Sequence, residues 1–342
     1  MTGLLEALFN GLSLSSILIL AALGLGVTFG VMRVINMAHG EMMMLGAYLG
    51  YILTNPNGLS IFVSGLASLV RETGKVFGIR WEPSWQTDIE FDFNLLYVIP
   101  AVFLVVALIG YLLEKSLIRF LYGRPLDTLL ATWGVGLVLQ QLIQLIFSGN
   151  PKSVTFPHEF RQPWYLLGAT IPRFRIFIIG FTVLCLLLVY FGFFYTKLGL
   201  QIRAVTQNRG MASALGIRTG RVDGLTFAFG TGLAGVAGCI LGGMYGNVVP
   251  NMGQDFIVEA FMVVILGGMG QLKGVIAGGL VVGVARGIAE KFYVNAIIPD
   301  LFPKYISEVF SPIARITVIA LVIGFIMVRP SGLVRTKERV YD

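Results

Sequence analysis

Apolar residues along this chain come in long unbroken runs, not in alternation. The clearest are Leu12 to Met32, Leu95 to Leu113, Ile176 to Tyr195, Leu225 to Tyr245 and Ile316 to Val328. A helix needs about 20 apolar residues to cross the roughly 30 Å hydrocarbon core of a bilayer. A transmembrane β-strand would instead show segments of about ten residues alternating apolar and polar. The runs predict spans at 11–32, 36–54, 94–113, 126–147, 176–195, 225–245, 256–272, 274–290 and 312–329. The expected fold is an all-α integral membrane protein, a polytopic bundle of about 8–10 transmembrane helices. Leu59–Val70 is too short to cross easily and reads as an interfacial or short re-entrant piece. The opening "MTGLLEALFN" lacks the basic n-region and cleavage site of a signal peptide, so the first run reads as a retained helix.

Small residues punctuate these runs with a period. Gly230, Ala234, Gly238, Gly242 and Gly246 recur every fourth position, as do Gly279, Gly283 and Gly287, and Ala22, Gly26 and Gly30. Such residues share one helix face and let neighbouring backbones approach closely. Gly230, Ala234, Gly238 and Gly242 are therefore read as helix-packing positions. A fainter pattern relates "VINMAHGEMMMLGAYLG" to "VPNMGQDFIVEAFMVVILGG". Each follows a glycine-striped helix and places an Asn-Met pair shortly before an acid. Interrupted segments at corresponding places in two halves of a chain point towards a transport path.

Composition agrees with the membrane reading. Of 342 residues, 56% are hydrophobic and 13% charged, against about a quarter charged in soluble domains. Cys185 and Cys239 fall inside apolar runs and read as small buried hydrophobes. Basic residues set the orientation. With 196–224 placed in the cytoplasm, the connections on that side hold fourteen of the 25 Lys and Arg, and the opposite connections hold nine. The positive-inside rule then puts the 330–342 tail in the cytoplasm, and the N-terminus and the 55–93 loop outside.

The chemistry of bond-breaking is missing. His39-Gly-Glu41 has the H-x-E spacing of zinc deaminases, but the P-C-x-x-C they also need is absent. No metal site, G-x-S-x-G, H-E-x-x-H or P-loop is present, so catalytic and metal-ligating residues are none and no cofactor is expected. What remains is a set of polar residues suited to lining a solute path: Asn36, His39, Glu41, Asn247, Asn251, Gln254 and Glu259. Amides both donate and accept, which suits a small neutral or zwitterionic solute. For His39 and Glu41 a local hydrogen-bonded pair at a helix start is the competing reading. Glu259 also reads as an acid paired within the protein. Gln140 and Gln144, at i and i+4, read as interhelical hydrogen-bonding residues.

The basic segment 196–224 contains "TQNRGMASALGI", a short helix with Thr206 or Asn208 as N-cap and Gly216 as its stop. Met211 and Leu215 would form an exposed apolar spot beside Arg209 and Arg218. A partner groove would bury such a spot; resting on lipid headgroups is the alternative.

At this point a resemblance becomes specific. "RAVTQNRGMASALGIRTGRVDGLTFAFGTGLAGVAG", "VINMAHGEMMMLGAY" and "EAFMVVILGGMGQLKGVIAG" resemble the permease subunits of ABC importers of the branched-chain amino acid type. "LYGRPLDTLLATWGVGLVLQQ", "RAVTQNRGMASALGI" and "RVDGLTFAFGTGLAGVAGC" are closest to that family's urea-permease branch. The resemblance implies an ABC importer permease fold over 1–342, in the bacterial inner membrane. It implies urea as solute, with branched-chain amino acids or short amides as the alternative. The implied partners are a second homologous permease subunit, two cytoplasmic ATPase subunits, an extracytoplasmic solute-binding protein and membrane lipid, and no nucleic acid. Hydrolysis would belong to the ATPases. Arg203, Asn208, Arg209, Met211, Leu215, Gly216 and Arg218 would couple to them. The loop Gly58–Phe93 departs from a minimal member by its length. A stand-alone channel or secondary transporter is the remaining rival, and it would need no partner groove.

Overall fold

A computed structural model describes residues 2–32, 34–76, 95–154, 160, 163–166, 169–268, 270–296, 306–329 and 332–334. Among these residues the chain is mostly helical. In order, the long elements are α1 (Thr2–Met32), α2 (His39–Thr54), α3 (Gly58–Val76), α4 (Leu95–Ser116) and α5 (Pro125–Phe147). Then come α6 (Arg173–Tyr195), α7 (Lys197–Gln207), α8 (Arg209–Ala214) and α9 (Thr219–Tyr245). The series closes with α10 (Met252–Gly267), α11 (Leu272–Ala296) and α12 (Ile306–Val328).

Each expected span falls on a helix, and the protein is a polytopic helical membrane protein. Six of the described helices are long and apolar enough to cross: Glu6–Met32, Leu95–Ser116, Pro125–Phe147, Arg173–Tyr195, Thr219–Tyr245 and Leu272–Glu290. Ile313–Val328 is a shorter apolar helix. The two others, α2 and α10, have 16 residues each. At about 1.5 Å per residue they reach roughly 24 Å, less than the hydrocarbon core. The apolar runs concealed this because Val34, Ile35 and Met37 belong to a turn before α2. Gly268, with φ 98°, stops α10 in the left-handed region that glycine enters without strain.

Two further features concern the connections. Leu59–Val70 lies within a 19-residue helix, α3, which is not among the helices long and apolar enough to cross. Residues 77–94 of the 55–93 loop and its flank lie outside the described residues, as does the 330–342 tail except for 332–334. The connections also hold short β-pairs beside the helical architecture. β1 (Lys152–Ser153) pairs antiparallel with β4 (Asn247–Val248), and β2 (Pro163–Leu166) with β3 (Ala169–Pro172). Strands of two to four residues are too short to show a period.

The chain divides into two compact units. The first comprises Met1–Arg33, Glu159–Thr226 and Val258–Asp342, the second Val34–His158 and Phe227–Ile257. In the first, α1 lies along the glycine face of α11. Gly279 faces Ile19, Gly283 faces Ser15 and Gly287 faces the Gly11 backbone. Thr182 on α6 donates a 3.4 Å hydrogen bond to the Ser16 carbonyl of α1. In the second unit α2 is almost wholly buried, with Met42, Met43 and Met44 at 0% exposure. It meets α9 backbone to backbone at Gly46 and Gly235. Gly238 sits on the Met43 carbonyl, and Gly242 faces Val248 and Ala47. Gly230 and Ala234 are also buried. With lipid outside, such contacts are held by close packing, since burial from lipid offers little hydrophobic gain.

Candidate functional site

The second unit gathers most of the polar residues singled out in the sequence. The first turns of α2 and α10 touch through glycine. A side chain on Gly40 would strike the Gly253 carbonyl, and one on Gly253 would strike that of Gly40. The N-cap of α2 is Ala38, which makes no side-chain cap bond. The first backbone N–H groups of a helix have no partner within it and carry partial positive charge. Two such ends therefore lie together inside this unit.

Polar side chains surround the crossing. Asn36, just before α2, is completely buried, and neither amide atom has a hydrogen-bond partner. Glu41 is 3% exposed with Oε2 unpartnered. Buried polar atoms are nearly always paired, so this concentration calls for an explanation. From α5, Thr132 accepts a 3.1 Å bond from the Met37 N–H. Gly136 leaves room beside Glu41, whose Cγ would stand 3.2 Å from a methyl group there. Gln254 on α10 donates to Gln140 on α5 at 2.9 Å, an interhelical bond that ties the two helices. His39 is buried at the start of α2, while Asn251 is exposed just before α10. Asn247 is exposed on β4, opposite Ser153.

Glu259 is placed differently. It belongs to the first unit, 2% exposed, where Arg286 Nη1 meets its two oxygens at 2.5 and 2.6 Å. Arg315 Nε donates to Oε1 at 2.6 Å, and Arg286 Nε reaches Glu290 at 3.0 Å. Its carboxylate is occupied by two guanidinium groups, which satisfies a charge that would otherwise be costly inside a membrane.

The basic segment 196–224 holds α7 and α8 and runs into the start of α9. Thr206 lies within α7. Asn208 is the N-cap of α8, its side chain accepting the Met211 N–H at 2.9 Å. Gly216, with φ 86°, follows the helix end in the left-handed region. The segment has a core of its own: Val205, Ala212 and Val222 are buried together, with Ile202, Ala204 and Ile217 against them. Met211 and Leu215 point away from it, 60% and 76% exposed. Arg218 is also exposed. Arg203 donates to the Phe193 carbonyl at 3.0 Å and lies over the Phe194 ring. Arg209 turns inward to Asp223 on α9 at 2.5 Å. Asp223 was missed from the sequence: it lies just before the expected 225–245 span, and its partner Arg209 is 14 residues earlier, beyond any local spacing rule.

Comparison with known proteins follows the same line. The family described as "Branched-chain amino acid transport system / permease component" matches residues 7–328. The chain is 28% identical over 344 residues to the high-affinity branched-chain amino acid transport system permease protein LivH of Salmonella typhimurium, covering 98% of this chain and 96% of that one. It is 27% identical over 340 residues to LivH of Escherichia coli K12, with the same coverage. BraD of Pseudomonas aeruginosa, a permease of the same description, is 26% identical over 340 residues. No solved structure matches the chain.

Proposed function

This chain belongs to the branched-chain amino acid transport permease family, and from that premise we propose that it carries branched-chain aliphatic amino acids through the membrane as one subunit of an ATP-driven importer. A permease component moves solute and breaks no bond, so the chain is not itself an enzyme. The importer consists of this subunit, a second homologous permease, two cytoplasmic ATPases and an extracytoplasmic solute-binding protein.

The observation that carries the solute reading is the glycine crossing of α2 and α10. Two helix N-termini meet there, beside a buried acid with an unpartnered oxygen. An amino acid needs both halves of that arrangement. The N–H groups of the helix starts favour its carboxylate, and Glu41 with the Asn36 carbonyl favours its ammonium. His39, Asn251 and Gln254 flank the path, and Asn247 stands at its rim. Coupling runs through α8. An ATPase groove takes Met211 and Leu215, with Arg218 at its edge. Displacement of α8 passes to α9 through the Val205–Ala212–Val222 core and the Arg209–Asp223 pair. Asn208 and Gly216 hold the ends of α8, and Arg203 braces α7 against α6.

A second reading is urea. It is favoured by the three sequence stretches quoted above, and by the amides Asn36, Gln140 and Gln254, which match a neutral solute rich in donors and acceptors. The test is uptake by the complete importer in vesicles, with leucine and urea each as labelled solute. Leucine accumulation that falls at least tenfold in Glu41→Gln is the expected result. Urea accumulation without leucine uptake, unaffected by Glu41→Gln, would replace the first reading with the second.

A further inference from the structure

A cavity of about 510 Å³ lies in the first unit, and none of the polar residues discussed at the crossing of α2 and α10 lines it. Its walls are membrane-spanning helices. Leu23, Val27 and Val31 line it from α1, Leu186 and Tyr190 from α6, and Val275 from α11. From Leu23 to Val31 the α1 wall runs for roughly 12 Å at about 1.5 Å per residue. The volume lies within the roughly 300–1,000 Å³ of ligand pockets, but the lining is almost entirely aliphatic and aromatic.

One end is different. There Arg203, Thr206 and Gln207 of α7 face Gln271 and Lys273 at the start of α11. Arg203 is held in place by its bond to the Phe193 carbonyl and by the Phe194 ring. Lys273 is exposed in the first turn of α11, which has no acidic residue. The helix N-terminus already attracts anions, and a lysine there adds to that field instead of compensating it. No acid is among the described residues that line the cavity.

We propose that this cavity is a binding site for an anionic phospholipid of the cytoplasmic leaflet, its acyl chain along α1 and α6 and its phosphate between Arg203 and Lys273. An apolar trench between spans closed by two cations is the shape of a lipid with a negative headgroup, and basic pockets between spans on the cytoplasmic side take such headgroups. A soluble anion would leave the trench unexplained. A neutral lipid would leave the paired cations unexplained. The inference is independent of the solute. It makes α7, the first helix of the coupling segment, responsive to the surrounding membrane.

The test is native mass spectrometry of the complete importer from nanodiscs containing equal phosphatidylglycerol and phosphatidylcholine. Three chains are compared: the unaltered one, Lys273→Gln, and Val31→Trp, which fills the trench without touching a charge. The unaltered protein should retain phosphatidylglycerol in preference. Removing the exposed lysine should lower that preference about fivefold. Val31→Trp should lower retention of both lipids while leaving assembly intact. Equal retention of the two lipids by the unaltered protein, or an unchanged preference in Lys273→Gln, would overturn the proposal. So would displacement of the lipid by millimolar inorganic phosphate, which marks a free-anion site. A photo-crosslink from position 31 to the second permease subunit would assign the trench to a protein and equally overturn it.

Discussion

Arg209→Ala removes the cation from a pair whose two members stand in different surroundings. The Asp223 side chain is 0% exposed and its Oδ1 has no partner, whereas Arg209 is 45% exposed. Deleting one partner of a fully buried pair costs about 3–5 kcal/mol, because the remaining charge is stranded. Arg209 is nearly half in water, so its share of that cost is screened and ~2–3 kcal/mol is the reasonable scale. The reverse change, Asp223→Asn, strands nothing. It leaves an arginine that reaches solvent, and exposed pairs are worth ~1 kcal/mol or less. The two single variants should therefore be unequal, and the double variant should recover most of the loss from Arg209→Ala. A coupling energy of about 1.5 kcal/mol or more is expected in the double-mutant cycle. Thermal unfolding of the four purified proteins in one detergent reads the order directly. Transport and ATP hydrolysis by the assembled importer read the coupling role: Arg209→Ala should hydrolyse ATP with reduced import. Additive effects, or an Arg209→Ala as mild as Asp223→Asn, would refute the reasoning.

Asn36→Leu should leave the melting temperature unchanged or slightly raised, since neither amide atom is paired, while uptake falls; full uptake would remove Asn36 from the path. Gly238→Leu should abolish accumulation of folded protein, because its Cβ falls on the Met43 backbone, whereas Gly134→Ala, with nothing within 4 Å, should be neutral in the same expression and melting assay. Glu259→Gln should destabilise by at most about 3–5 kcal/mol, since it removes the carboxylate that Arg286, 7% exposed, shares with Arg315 but leaves the Arg286–Glu290 contact in place, and Arg315→Gln, at 25% exposure, should cost distinctly less. Equal melting temperatures for the last two would count against a structural role for the ion cluster.

Helix positions were legible because a span is written into consecutive residues: each run of apolar side chains became a helix. Local caps were half legible. Asn208 and Thr206 both have the right chemistry, and only the break between α7 and α8 selects Asn208. Partners from distant segments left no local trace. Glu259 finds Arg286 and Arg315, 27 and 56 residues further on, and no spacing rule reaches that far. The contact of Gly46 with Gly235 was hidden too, since Gly235 lies off the four-residue stripe on the same helix. The shortness of α2 and α10 was obscured because apolar residues fill the turns as well as the helices. The polar crossing was visible as residue types, but its assembly depends on which helix starts meet.

At that crossing, Gly40 and Gly253 offer each other nothing but main chain. A junction without side chains has no dimension that substitution can shorten, and every replacement enlarges it. On the proposed path, adaptation to a bulkier or smaller cargo would thereby be diverted to Asn36, Glu41, Gln140 and Gln254. In a saturation scan the two glycines would appear as a closed locus, and the variation that re-tunes the permease would accumulate at their neighbours.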